Sequence, residues 1–123
     1  MNIESFRLYC LSKVAVDESL PFGPDTLVFK VMAKVFALTA LDKADFRVNL
    51  KCDPDRSIEL RERYPEIIPG YHMNKKHLNT VDFEGSLTTS MLKELIDHSY
   101  ECVVKTLPKK LKMELQRLQE NEE

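Results

Sequence analysis

The stretch FRVNLK, residues 46–51, restricts the fold more than any other part of this chain. In an extended strand Phe46, Val48 and Leu50 point one way while Arg47, Asn49 and Lys51 point the other, so one face is suited to burial and the other to water. Such a strand belongs in an antiparallel sheet, because parallel sheets are covered on both sides and read as continuous apolar runs. The same period of two runs upstream, where Leu27, Phe29 and Val31 alternate with Val28, Lys30 and Met32. AKVFALTAL then supplies β-branched and aromatic residues over 33–41. Downstream, Val81 and Phe83 alternate with Thr80 and Asp82, and Gly85 closes the strand. Two turns separate these runs: LPFGPD at 20–25, with prolines on both sides of a glycine, and the polar DKAD at 42–45.

Helices surround the strands. DPDRSIELRERY begins with Asp53 as N-cap, Pro54 in the first turn and Asp55 at the positive end of the dipole. Tyr64 stops it, since a residue before proline avoids the helical region. An opening helix over 3–13, capped by Asn2, places Ile3, Phe6 and Cys10 on one face. Leu92, Leu95, Ile96, Ser99, Val103 and Leu107 trace an apolar stripe containing one small polar residue. Pro108 divides that helix from a last one carrying Leu111, Leu115 and Leu118. The pattern predicts an α+β fold in a single domain over 1–123, a mostly antiparallel sheet packed by helices. Its expected core is Phe6, Phe29, Phe36, Val48, Leu50, Phe83, Leu95, Ile96 and Val103.

At 123 residues, 43% apolar and 31% charged, the chain can bury a core without disulfide or metal. Its apolar runs are too short to span a bilayer and no signal peptide is visible, so a cytoplasmic protein is expected. Cys10, Cys52 and Cys102 are widely spaced and read as small packed hydrophobes. His72 and His77 are candidate metal ligands, but a third would have to come from Asp82, Glu84 or His98, and no spacing ties them together. No metal and no cofactor is therefore expected. No nucleophile elbow surrounds Thr80, Ser86 or Ser99, and no glycine-rich loop cradles a phosphate, so catalysis is not expected either. Ser99 and Tyr100 read as a packed hydrogen-bonding pair.

The basic residues point elsewhere. Lys75, Lys76 and His77 form a compact donor cluster in an acid-free segment, with Asn74 and Asn79 able to bond phosphate or base edges. Arg47, Asn49 and Lys51, with Lys30 and Lys34 on neighbouring strands, extend the set over the polar sheet face. Against this stand a net charge of −2 and the acids of the 42–45 turn. Lys105, Lys109, Lys110 and Lys112 also suit the helix dipole near the break at Pro108.

PFGPD, VFKV, KVFAL, LKCDP, PGYHMNKKHLNTV, LIDHSY and LPKK follow one another between residues 21 and 110. In this ordered set the chain resembles the MmcQ/YjbR family, bacterial proteins with a CyaY-like α+β fold that are named as DNA-binding. The resemblance implies a double-wing arrangement in which hairpin loops flank double-stranded DNA, and it implies no catalytic residue. Two positions depart from the family pattern: Ala33 where a glycine is common, and Leu78 where a tryptophan is common. The related frataxins carry an acidic first-helix ridge for iron, whereas the first helix here has one acid, Glu4. The expected function is a small binding module that contacts DNA weakly and non-specifically. The alternative is a protein-interaction or small-ligand-binding domain using the polar sheet face or a groove beside Tyr71 and Tyr100.

Overall fold

A computed structural model describes residues 1–70 and 77–121. Asn2 starts α1 (Ile3–Leu11) through a reciprocal cap, accepting from the Ser5 backbone N–H at 2.8 Å while Ser5 Oγ accepts from the Asn2 N–H at 3.1 Å. The helix ends at Leu11, two residues short of the predicted limit. Ala15, at φ 62°, turns the chain into β1 (Val16–Ser19).

β2 (Thr26–Val31) and β3 (Lys34–Ala40) form a hairpin closed by the pair Val31 and Lys34. The strand predicted over 33–41 begins one residue later because Met32 and Ala33 are the turn, at φ 46° and 71°. Positive φ at both central residues gives the twist that a two-residue hairpin needs. Ala33 thus keeps the tight backbone that glycine adopts without strain.

β4 (Arg47–Lys51) leads into α2 (Pro54–Arg63), where Asp53 caps by accepting from the Arg56 N–H at 3.3 Å. β5 (Ile67–Pro69) and β6 (Leu78–Asp82) follow, then α3 (Thr89–Lys105) and α4 (Lys109–Asn121). The strands form one antiparallel sheet in the order β1-β2-β3-β4-β6-β5. Four strands were legible beforehand. β1, with two acids in four residues, and β5, three residues ending in proline, are edge strands held by their neighbours rather than by their own propensity.

All nine expected core residues are buried. Phe6 is the hub, meeting Phe29, Phe46 and Phe83 edge-on with centroids 5.3, 5.6 and 5.4 Å away. The stripe on α3 packs on β3 and β4. Its polar member, Ser99, is fully buried and stands where those two strands part. Pairing of β3 with β4 ends at Ala37 and Leu50. Beyond it, Ser99 Oγ donates to the Phe36 carbonyl and accepts from the Lys51 N–H at 2.8 Å. One hydroxyl thereby replaces the next rung of the ladder. A register shift against β2 leaves Phe36 as an extra residue, so Phe36 and Ala37 are both buried although adjacent in a strand. Phe36 meets Tyr100 edge-on at 5.5 Å. Tyr100 donates its hydroxyl to the Val14 carbonyl at 2.7 Å, in keeping with a packed Ser99–Tyr100 pair.

Candidate functional site

The outer face of the sheet carries four of the expected contact residues, Lys30, Arg47, Asn49 and Lys51, and acids oppose two of them. Lys30 lies across from Asp17 on β1. Arg47 lies across from Asp82 on β6 and ion-pairs with Asp45, Nε to Oδ2 2.6 Å. Asn49 accepts from Thr80 Oγ1 at 2.6 Å. Lys51 sits at the end of β4, across from Leu78 on β6. This face is not uniformly wet, since Val28 on it is fully buried.

Two other residues do not belong to that face. Lys34 follows the turn, and its Nζ lies 3.5 Å from the Thr106 carbonyl at the end of α3. Asn79 shares its side of β6 with Val81 and is buried, 3% exposed. It accepts from Arg61 Nε at 2.7 Å and donates to Ser57 Oγ at 3.3 Å, tying α2 to β6. The expectation that Asn79 bonds a nucleic acid is therefore corrected: its amide is spent on packing. Asn74, Lys75, Lys76, His72 and Tyr71 lie outside the described residues. The groove expected beside Tyr100 is displaced as well, because that ring is buried behind Phe36.

A groove of about 910 Å³ opens where β3 and β4 part. Val35, Phe36, Leu38 and Leu78 give it an apolar floor, and Phe22, 69% exposed, stands at its side. The fork creates it: β3 runs on to the Met32–Ala33 turn, while β4 leaves through Cys52 for α2. The Cys52 N–H donates to the His77 carbonyl at 2.8 Å, which fixes the start of β6 beside the start of α2. Lys51, Arg56 and Lys105 line the groove as permanent cations, and Asp53 is the acid among its lining residues. Neither Arg56 nor Lys105 was singled out in the sequence as part of a site with Lys51, since the three come from β4, α2 and α3.

His98 closes one wall. Its Nε2 accepts from the Asp53 N–H at 3.1 Å, which requires the neutral ring with its proton on Nδ1. Burial lowers its pKa, the neighbouring Arg56 adds to that, and Asp53 opposes it. Cys102 Sγ lies 3.5 Å from the same nitrogen. Despite that geometry the pair is not primed as nucleophile and base. Burial raises the Cys102 thiol, as it does Cys52, whereas a reactive thiolate needs a lowered pKa. Among the described residues no cluster of three or more His, Cys, Asp or Glu side chains is placed to hold a metal ion. Likewise, among them no helix is long and apolar enough to cross a membrane. What the arrangement offers is an apolar trough with a cationic border.

Relatives share this frame. The uncharacterized protein YbdF of Escherichia coli O157:H7 is 37% identical over 107 residues, 87% of this chain and 88% of that one. The uncharacterized protein YjbR of Escherichia coli K12 is 32% identical over 108 residues, covering 88% and 92% of the two chains. Among solved structures, a Deinococcus radiodurans DUF419 domain superposes with a TM-score of 0.86 at 39% identity, over 94% of this chain and 88% of the other. A Pseudomonas syringae protein gives 0.70 at 32%, over 80% and 96%. The YjbR family model matches residues 11–102, which run from the end of α1 through most of α3 and include most of the groove's lining; the chain belongs to the YjbR family.

Proposed function

We propose that this YjbR-family chain is a non-catalytic binding domain for a small ligand, and that the groove between β3, β4 and the end of α3 is its site. The observation that carries the reading is the apolar floor of that groove, where Val35, Leu38 and Leu78 are half-buried over the buried Phe36 in a trough of about 910 Å³. Concave, largely apolar sites with a few convergent polar groups are where small molecules bury most of their surface. Nucleic-acid contact through the sheet face has weaker support, because Lys30 and Arg47 already face Asp17 and Asp82. A phosphate there has to compete with carboxylates on the neighbouring strands.

Duplex DNA remains the second reading, favoured by one observation: Lys51, Arg56 and Lys105 gather on one side of the molecule with His77 at the groove. The two readings separate in a nuclear magnetic resonance titration of the labelled chain, first with a small-fragment mixture and then with a short duplex. Ligand binding expects fragment-induced shifts concentrated at Val35, Leu38, Leu78 and Cys102, with the duplex giving none at low salt. Duplex-induced shifts at Lys30 and Arg47, with affinity falling linearly in log salt, would overturn the small-ligand reading in favour of DNA.

A further inference from the structure

We infer that the groove selects an organic anion: a free small molecule with an apolar body and one carboxylate- or phosphate-like group. The inference rests on the small-ligand reading and adds the chemistry of what binds. Two features on different elements carry it. The floor is hydrocarbon, with Val35 and Leu38 from β3 and Leu78 from β6. The border is cationic, with Lys51 from the end of β4, Arg56 from the first turn of α2 and Lys105 from the last turn of α3.

Among the described lining residues the border holds three cations against one carboxylate. Its acid, Asp53, is occupied as the cap of α2, where Oδ2 accepts from the Arg56 N–H. His98 is neutral while it accepts from the Asp53 N–H, so in that state it adds no charge to the border. Arg56, Lys105 and His98 all line the groove. An apolar molecule without charge would fill the floor and leave the cations facing water. One with a positive charge would meet three like charges. An anion satisfies both parts, and beside a low-dielectric floor its attraction to the border is stronger than on an open surface.

The test uses a matched pair, naphthalene-1-acetate and its neutral isostere naphthalene-1-acetamide, each titrated into the full chain and followed by amide chemical shifts. The expected result is binding of both at the groove, with the acid tighter by about tenfold at low salt, and a ratio that shrinks as salt screens the border. A Lys51→Gln, Lys105→Gln double variant should bring the two affinities to within about twofold, whereas Lys43→Gln in the exposed turn beyond the far end of β3 should leave the ratio unchanged. Equal affinities in the unaltered chain would overturn the anion inference and leave the groove standing. Binding of neither would remove the groove reading itself. A preference that persists in the double variant would overturn the assignment to Lys51 and Lys105. Folding of each variant is read from the same spectra.

Discussion

Lys30 on the outer face and Lys105 at the groove are the same residue type in a chain of net charge −2, yet their surroundings differ in kind. Lys30 has Asp17 across the strand pair, and Arg47 has Asp82 and Asp45, so these two positive charges are matched by nearby acids. At the groove, Lys51, Arg56 and Lys105 border an apolar floor, and their acid is committed to a helix cap. A list of basic residues does not distinguish the two. The partner opposite each one does, because an exposed pair in water is worth little and screens itself. Both regions lie along one face of the sheet, where Lys30 pairs with Val35, Asn49 with Leu38 and Lys51 with Leu78, and the groove differs in being backed by the buried Phe36.

That difference can be broken most forcefully at Phe36. Its ring lines the groove yet is 1% exposed, so Phe36→Ala should cost about 3–5 kcal/mol in a denaturant titration. A change under roughly 1 kcal/mol would mean that the wall is not core. Ser99→Ala comes next. It strips a partner from both the Phe36 carbonyl and the Lys51 N–H, two backbone groups beside a buried position, and should cost about 1–3 kcal/mol with the helices retained by circular dichroism. Stability equal to the parent would show that β3 and β4 pair without the clasp.

Ala33→Gly should move the other way, raising stability by up to about 1 kcal/mol, since glycine takes positive φ without the Cβ penalty even after its larger unfolded-state entropy. A lower melting temperature would place the strain elsewhere. His98 then sharpens the comparison by pH. Its folded pKa lies below the ordinary 6.5, so neutral His98 contributes stability above that value, and the contribution is lost as pH falls from 6.5 through the folded pKa. His98→Gln, which keeps an acceptor without a proton switch, should flatten melting temperature against pH in that window; an unaltered slope would assign it to another group. Arg47→Ala is the smallest arm. Its exposed ion pair should matter by less than roughly 1 kcal/mol, and a larger loss would make the outer face structural.

The helices and the core were legible because their signals are local: Asp53-Pro54 marks the start of α2, and the stripe from Leu92 to Val103 is the buried side of α3. Asn79 could have been read correctly as well. It shares parity with Val81 and Phe83 along one strand, which assigns it to the covered side whatever its polarity. Lys34 misled for the opposite reason, since a two-residue turn precedes it and breaks the parity with Lys30. The groove left no such trace. It depends on an extra residue in β3 and on a serine 63 positions away, and neither has a periodic signature.

Ser99 also makes the width of the fork a property of α3. Its hydroxyl holds both strands at once, while its helix neighbours reach the opposite side of the molecule: Asp97 accepts from the Tyr9 hydroxyl at 2.6 Å, and Tyr100 donates to the Val14 carbonyl. Spreading β3 from β4 therefore pulls on a lever whose far arm grips the end of α1 and the turn after it. The amide of Lys51, bonded to a side chain instead of a ladder carbonyl, is the proton that this movement would release first to the solvent. The helix that holds the fork at Ser99 thus also holds the end of α1 at Asp97 and the turn after it at Tyr100.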